Sequence, residues 1–317
     1  MESIVVLGGG SLGLLLAGKL NAAGSRVELW TRTEEQALRL EREGVAIEDA
    51  GGGRTVVAVR AQALEHVAAR RNTTVLLALK QTALTDELLE RLAGILTEGC
   101  AIAAFCNGIG HFDRLRRALP GVKLAAAVTT EAALRTDART VVHTGRGHIW
   151  LGPAPLFDEI PPRYAEMPGR NRLQEAESRL VQAGFSVILS NDMKERMLRK
   201  LLVNAVINPL TALLRIRNGE LTSTPQRLRL VRSLFDETAG ILQAYGIPED
   251  DRLWDELLDV CERTAHNRSS MLQDALAARP TEIDAINGAV CRLAKRQGLS
   301  APWNEKISAL VKALAGG

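Results

Sequence analysis

The 317-residue sequence predicts an α/β fold, with a mainly parallel sheet domain at the N-terminus followed by an all-helical C-terminal domain. In the first half, short continuous apolar runs alternate with helical patterns, which is typical of a parallel sheet covered on both faces. From about Met193 onward, apolar residues recur at helical spacing almost throughout. The chain is also about twice a usual domain of about 150 residues. We therefore expect two domains, residues 1–190 and 191–317, with the boundary near Asn191-Asp192, a plausible helix cap.

The elements of the first domain follow from these runs. The predicted strands are Ile4–Leu7, Val27–Trp30, Thr74–Leu79, Ala101–Cys106 and Leu124–Thr129, and the predicted helices are Leu12–Ala23, Glu34–Glu43, Asp86–Leu96 and Phe112–Leu119. Thr140–His143 and His148–Leu151 flank a Thr-Gly-Arg-Gly segment, which predicts a hairpin. Residues 153–172 are rich in proline and charge and are expected to form a surface loop.

Composition excludes several classes of function. Lys and Arg number 40 against 37 Asp and Glu, so the net charge of +3 is small for a protein that neutralises nucleic-acid phosphates. Four scattered cysteines offer neither a disulfide framework nor metal-ligand spacing, which favours a reducing, cytoplasmic setting. The start of the chain lacks a signal-peptide pattern, and no apolar run of about 18 residues is evident. We expect no nucleic-acid, membrane or metal partner; the apolar helices of the second domain could form either a homodimer face or a core.

A glycine-rich turn, Gly8-Gly9-Gly10-Ser11-Leu12-Gly13, joins the first predicted strand to the first helix. Gly8 permits a tight turn, Gly10 lets the backbone approach a pyrophosphate, and Gly13 allows close packing of helix on strand. The helix N-terminus attracts the anion. This pattern in a strand–turn–helix context predicts a Rossmann-type domain that binds a dinucleotide.

The choice between NAD and NADP should depend on the end of the second strand, about 20 residues after the turn. Arg32 lies there, and a guanidinium suits the 2′-phosphate of NADP because its planar fork makes paired charge-assisted hydrogen bonds. We therefore predict NADP. In the alternative, Arg32 is a solvated charge and Glu28 or Glu34 binds the ribose.

Polar residues at strand ends are further candidates, because ligands of open parallel sheets bind beyond the carboxyl ends of the strands. Lys80, Asn107 and Thr129-Thr130 occupy such positions. Each could instead satisfy backbone groups at a strand terminus. His143, at the edge of the predicted hairpin, is more typical of a structural histidine, although it could act as an acid or base if the fold brings it inward.

In the second domain, Lys200, Asn204 and Asn208 are spaced by four and share one stripe of a helix. Polar groups within an apolar stretch suggest a polar cleft; the alternative is an exposed stripe on an amphipathic helix. Pro209 should kink or end this helix.

Further along, Ser270 and Asp274 share a helix face. Thr281 with Asp284 resembles a capping box, which would start a helix and place Glu282 in its first turn. An acid there is common because it complements the helix dipole, so spacing alone assigns Glu282 no function.

The motifs together resemble the ketopantoate reductases (2-dehydropantoate 2-reductases). The resemblance rests on the glycine turn and on four later stretches, which are Cys106–Gly110, His143–Gly147, Lys200–Thr211 and Ser269–Asp274 running on to Thr281–Asp284. It implies NADPH-dependent reduction of 2-dehydropantoate to (R)-pantoate in pantothenate synthesis. Residues 153–172 look longer than expected for the family, which leaves a changed cleft entrance or substrate preference open.

The resemblance also implies roles for individual residues. Lys200 aligns with the general acid, and Glu282 with the acid that contacts the substrate and supports that lysine. Substrate-binding positions match Asn107, Asn204, Asn208 and Ser270; Asn107 also lies at the nicotinamide, and Lys80 is similar to a lysine near the cofactor. Two other functions remain possible on the sequence: a related reductase of another 2-oxo acid, and a non-catalytic NADPH-responsive binding protein.

Overall fold

The structure, a computed structural model, describes residues 3–49, 51–157, 170–250 and 252–314. The chain forms two compact units. The first comprises Met1–Cys106 and His111–Met193, and the second comprises Lys194–Gly317 together with the short segment Asn107–Gly110. The assignment of cofactor binding to residues 1–190 and of catalysis to 191–317 stays a prediction.

The first unit alternates strands and helices, as the sequence predicts. Its strands are β1 (Ser3–Leu7), β2 (Glu28–Thr31), β3 (Val45–Asp49), β4 (Arg54–Val57), β5 (Arg60–Ala63), β6 (Thr73–Leu77), β7 (Ala101–Ala104), β8 (Lys123–Thr129), β9 (Ala132–Arg135), β10 (Thr140–Gly145), β11 (His148–Pro153) and β12 (Ser186–Leu189). Its helices are α1 (Ser11–Ala22), α2 (Glu34–Glu43), α3 (Asp86–Ile95), α4 (His111–Ala118) and α5 (Arg170–Gln182).

Eight strands form the main sheet in the order β12-β11-β8-β7-β6-β1-β2-β5. Every neighbouring pair is parallel except β8 with β11. Helix α1 is apolar around most of its surface, and Leu14, Leu15, Leu16 and Leu20 are fully buried. A helix of this kind is covered on more than one side. The predicted mainly parallel sheet is confirmed.

A second, four-stranded sheet in the order β4-β3-β10-β9 packs with α1, and it is the main feature of this unit that the sequence did not predict. It also shows that the predicted hairpin is wrong. Strand β10 pairs with β3 and β9, whereas β11 pairs with β8 and β12 in the main sheet.

Strands β10 and β11 do not pair with each other because each of them buries apolar side chains in a different sheet. Val141 is fully buried on β10, while Ile149 and Leu151 are fully buried on β11. The segment between the two strands crosses close to Thr130: a Cβ added at Gly147 would lie 2.5 Å from the Thr130 carbonyl carbon. Position 147 therefore requires glycine, because the chain passes close to the Thr130 backbone where it leaves one sheet for the other.

The predicted loop 153–172 is shorter at both ends in the structure. Pro153 ends β11 and α5 already begins at Arg170. Residues 158–169 lie outside the described residues.

The second unit is helical. Its helices are α6 (Met193–Leu214), α7 (Pro225–Gln243), α8 (Arg252–Arg263), α9 (Ser270–Leu276), α10 (Asn287–Arg296) and α11 (Pro302–Leu314). Helix α6 is long and apolar enough to cross a membrane by length and composition alone, and 67% of its most apolar stretch is buried inside the molecule. A core helix passes the same test, so this observation is weak evidence for a membrane span.

One local prediction in this unit is narrowed and another is corrected. Of the two effects expected of Pro209, a kink or an end of the helix, the end does not occur, since α6 continues to Leu214. The capping box of Thr281 and Asp284 does not form: residues 282–286 make a turn, and α10 begins only at Asn287. Asp284 instead pairs with Lys312, at 2.6 Å between Oδ1 and Nζ, and the non-helical backbone of Ile286 (φ −107°, ψ −89°) delays the helix.

Candidate functional site

The glycine turn follows β1 at the carboxyl edge of the main sheet, between β6 and β2. Gly8 has φ +124°, and a Cβ there would lie 2.6 Å from the Ala78 carbonyl oxygen. A Cβ at Gly13 would lie 1.8 Å from the Gly8 oxygen, so neither position accepts a side chain. Gly10, by contrast, faces open space, with no atom within 4 Å of its added Cβ. The turn is therefore tight where it packs on the protein and open where a ligand would approach.

The turn leads directly into Ser11, the first residue of α1. Gly10 caps this helix without a side-chain hydrogen bond, and its first turn contains no acidic residue. The leading N–H groups and the positive end of the helix dipole thus suit an anion.

Two residues that sequence reasoning missed hold the turn in place. Gln36 Nε2 and Arg135 Nη1 both donate to the Gly9 carbonyl oxygen, at 2.9 and 3.0 Å. The Arg135 backbone N–H also donates to Ser11 Oγ at 3.0 Å. These bonds join residues far apart in sequence, so no local pattern reveals them.

Arg32 and Lys80 are both exposed, on opposite sides of the turn. Arg32 follows β2 directly, and Lys80 lies three residues beyond the end of β6. In the sheet β1 separates β2 from β6, so the two cations flank the strand that carries the glycines.

The acidic alternatives for ribose binding differ in position. Glu28 begins β2, at the opposite end from Arg32, and its carboxylate is held by Gln62 and by Arg70, whose Nη2 is 3.1 Å away. Glu34 is exposed near Glu65 and His66, and these three side chains could together offer ligands to a metal ion. All three are exposed, and exposed acidic groups are common without an ion.

His143 and the strand-end threonines take part in structural contacts of the first unit. His143 Nε2 lies 2.5 Å from Glu131 Oε2, and both side chains are almost fully buried. Thr129 Oγ1 accepts from the Glu131 N–H at 3.0 Å, and Thr130 Oγ1 accepts from the His148 N–H at the same distance.

In the second unit, Lys200, Asn204 and Asn208 lie along one stripe of α6. Lys200 and Asn204 are half-buried, and Asn208 is 6% exposed. Among the described residues, neither Asn204 nor Asn208 has a hydrogen-bond partner for its carboxamide. Groups of this kind normally find partners when they are buried. The stripe thus offers two carboxamides that are free to bind a ligand.

Asn107 and Glu282 come together in the same unit. Asn107 Nδ2 donates to Glu282 Oε2 at 3.3 Å, across 175 positions of sequence. Glu282 is 4% exposed, and the Ile109 N–H donates to the Ala285 carbonyl oxygen at 3.3 Å. Asn107–Gly110 is therefore attached to the turn that carries Glu282.

Helix α9 presents Ser270 at its first position, where the side chain is exposed. The preceding residue, Ser269, caps α9 by accepting from the Leu272 N–H at 3.1 Å. Ser269 Oγ also lies 2.7 Å from Thr211 Oγ1 on α6, so a buried hydroxyl pair links the two helices.

The residues of the first unit fit a bound nicotinamide dinucleotide. The open face of Gly10 and the uncapped N-terminus of α1 suit the pyrophosphate, and the exposed cations on either side suit further phosphate. The fit defines the class of cofactor, a nicotinamide dinucleotide.

Comparison with known proteins gives the same class. Residues 4–155 match the family model for ketopantoate reductase PanE/ApbA, and residues 192–315 match the model for its C-terminal part. The 2-dehydropantoate 2-reductase of Bacillus subtilis (strain 168) is 32% identical over 315 residues, covering 98% of this chain and 97% of the relative.

Two solved structures share the fold. A PanE/ApbA family ketopantoate reductase from Ralstonia eutropha JMP134 superposes with a TM-score of 0.85 at 23% identity, covering 99% of this chain and 98% of that one. The ternary structure of D-mandelate dehydrogenase with NADH and anilino(oxo)acetate superposes with a TM-score of 0.86 at 22% identity and the same coverage.

The fold, the glycine turn and these matches define an oxidoreductase that uses a nicotinamide cofactor. Since the two family models cover most of the sequence, the chain belongs to the ketopantoate reductase PanE/ApbA family.

Proposed function

We propose that this chain reduces 2-dehydropantoate to (R)-pantoate with NADPH, using Lys200 as general acid. The observation that carries the proposal is the set of polar side chains in the helical unit: a lysine and two unpartnered carboxamides on one stripe of α6, and in the same unit the buried Glu282 with its hydrogen bond from Asn107. Relatives at about 30% identity over nearly the whole chain carry this activity in their names.

In this proposal the first unit holds the cofactor. Gly8, Gly9, Gly10, Ser11, Leu12 and Gly13 surround the pyrophosphate through their backbone, Arg32 binds the 2′-phosphate, and Lys80 lies near the phosphates or the ribose. When bound, the reduced nicotinamide supplies a hydride to the ketone carbon.

Lys200 acts on the ketone oxygen. Negative charge grows on that oxygen as the carbon is reduced, and an ammonium within hydrogen-bond reach stabilises the charge and then donates the proton. A lysine in a mainly apolar cleft tends to lose its proton. The buried carboxylate of Glu282 opposes this loss, and Asn107 holds that carboxylate in place.

The remaining polar groups bind and orient the substrate. Asn204 and Asn208 each offer a donor pair and an acceptor to the hydroxyl and carboxylate oxygens of a branched 2-oxo acid. Ser270, exposed at the start of α9, binds the carboxylate. Fixing the acid on three side chains aligns the ketone for reduction, which lowers the entropic part of the barrier.

We also infer a cytoplasmic setting and a small-molecule partner only. All four cysteines are free thiols in the structure, which suits a reducing compartment. A homodimer through the helical unit remains an open prediction, to be checked by light scattering.

The test is a steady-state assay of NADPH oxidation with 2-dehydropantoate beside a panel of branched and aromatic 2-oxo acids, each also measured with NADH. We expect kcat/KM to be highest for 2-dehydropantoate with NADPH. A preference for another 2-oxo acid would make the chain a related reductase. Tight NADPH binding without turnover of any acid would make it a binding protein.

A further inference from the structure

Helix α6 lacks one backbone hydrogen bond beside the polar stripe, because Pro209 follows Asn208. In a regular α-helix residue 209 would donate its N–H to the carbonyl oxygen of Ala205. Pro209 has no N–H, and its ring crowds that same carbonyl. Ala205 is fully buried, so water cannot satisfy the oxygen. A buried acceptor left without a donor costs about 1–3 kcal/mol.

Asn287 supplies the missing donor. Its Nδ2 lies 2.8 Å from the Ala205 carbonyl oxygen and 2.9 Å from Asn304 Oδ1. Both amide protons are therefore used on acceptors, and a flipped carboxamide would set its oxygen against two others. Asn287 is fully buried, so its orientation is fixed by these two bonds.

Asn304 is in turn fixed from the other side. Its Nδ2 donates to Glu237 Oε1 at 2.9 Å and to Thr238 Oγ1 at 3.0 Å. The Glu237 carboxylate also accepts the backbone N–H groups of Trp303 and Asn304, each at 2.9 Å. A buried chain of hydrogen bonds thus runs from α7 through the start of α11 to Asn287 and α6.

Asn287 is the first residue after the turn that carries Glu282. That turn is short and internally bonded, since the Glu282 carbonyl oxygen accepts from the N–H groups of Ala285 and Ile286 at 3.0 and 3.1 Å. Ala205 lies on α6 next to Asn204 and one turn before Asn208–Pro209. The Asn287–Ala205 bond therefore connects the polar stripe to the Glu282 turn.

We propose that Asn287 is a positioning residue: by replacing the N–H that Pro209 lacks, it fixes the polar stripe of α6 relative to Glu282. Its effect on catalysis rests on the function proposed above. Pro209 and Asn287 form a matched pair, because an N–H at position 209 would make the Asn287 amide unnecessary for the Ala205 carbonyl.

The test compares Asn287→Ala in two backgrounds, wild type and Pro209→Ala, with 2-dehydropantoate and NADPH. In the wild-type background we expect kcat to fall on the order of 10- to 100-fold, since small misplacements of reacting groups cost this much. The dissociation constant for NADPH should not change. In the Pro209→Ala background the same substitution should cost at least about tenfold less, because residue 209 now donates to Ala205.

Thr238→Val is the control, since it breaks the network at Asn304 but leaves both bonds of Asn287 in place; Pro209→Ala should not rescue it. An equal loss of kcat from Asn287→Ala in both backgrounds would show a merely structural role and overturn the proposal. If Asn287→Ala alone does not fold, the double variant must fold and turn over, and its failure also overturns the proposal.

Hydrogen exchange provides a readout independent of activity. Amides of the α6 segment 205–214 should exchange faster in Asn287→Ala and regain protection in the double variant. Unchanged exchange would contradict the bond's role even if the enzyme has another substrate. Loss of all 2-oxo acid reduction in the wild type, with exchange behaving as expected, would instead contradict only the proposed function.

Discussion

Asn208 carries an almost wholly buried carboxamide that has no hydrogen-bond partner among the described residues. Its polar atoms are not fully enclosed, but a largely buried amide without a protein partner still stabilises the fold less than an apolar side chain of similar size would. Binding sites retain costs of this kind, because a group already satisfied by the protein cannot serve a ligand as well.

We therefore expect Asn208→Leu to raise the urea midpoint of unfolding while lowering kcat/KM for the 2-oxo acid. The leucine fills a similar volume and removes the unpaired groups. Asn304→Leu is the matched control: that asparagine has all its bonds satisfied, so its loss should lower the midpoint. A fall in stability for Asn208→Leu would mean that its carboxamide is bonded in the free protein.

Substitution of Arg32 tests whether this residue selects NADPH over NADH. Arg32→Ala should raise KM for NADPH by about tenfold or more, since hydrogen bonds to charged groups contribute on the order of 1.5–3 kcal/mol. KM for NADH should change little. Arg60→Ala, another exposed arginine of this sheet, serves as the control. An equal effect of Arg32→Ala on both cofactors would contradict 2′-phosphate binding.

Among the elements, those with strong local signals could be predicted from the sequence. Uninterrupted apolar runs occur in β1, β6, β7 and β8, while the run of β2 contains Glu28. The glycine turn needs three glycines at fixed spacing for steric reasons that the structure bears out at Gly8 and Gly13. The stripe on α6 follows from the helical repeat alone.

What the sequence could not show depends on long-range pairing. The partners of β10 and β11 are set by which buried surface each strand meets, and a local turn pattern carries no such information. The Asn107–Glu282 bond, the two donors on the Gly9 carbonyl and the donor that compensates Pro209 likewise join residues far apart in the chain.

The link between α6 and α9 yields a prediction for these elements. Thr211→Val removes a fully buried hydroxyl within 2.7 Å of Ser269 Oγ and should lower the unfolding free energy by about 1–3 kcal/mol. Because Ser269 caps α9 and precedes Ser270, KM for the 2-oxo acid should also rise. Thr211→Ser keeps the hydroxyl and should retain most of both properties. Urea unfolding with no difference between the two variants would exclude a contribution from this bond.

For the molecule as a whole, His111 makes stability depend on pH. Its side chain is buried at the start of α4, where Nδ1 lies 3.1 Å from Gln81 Nε2 and Nε2 has no partner among the described residues. Burial, and secondarily the charge of Arg116, lowers the pKa of His111 to about 3. The folded state therefore excludes a proton that the unfolded chain binds below its ordinary pKa of about 6.5.

The unfolding free energy should accordingly fall as the pH drops from about 6.5 toward 3, because only the unfolded state gains the proton in that window. His111→Asn keeps an acceptor for Gln81 and cannot titrate. Urea unfolding across this range should show a shallower dependence on pH for the variant than for the wild type. Parallel curves would mean that His111 is protonated as readily in the folded state as in the unfolded chain.

The whole account centres on the amine of Lys200, and steady-state oxidation of NADPH by 2-dehydropantoate tests it most directly. Lys200→Ala should lower kcat by at least about 10²-fold, within the usual range for general acid–base catalysis, while NADPH still binds. Lys194→Ala removes an exposed lysine from the same helix and should leave kcat unchanged. Near-normal turnover in Lys200→Ala would contradict the account.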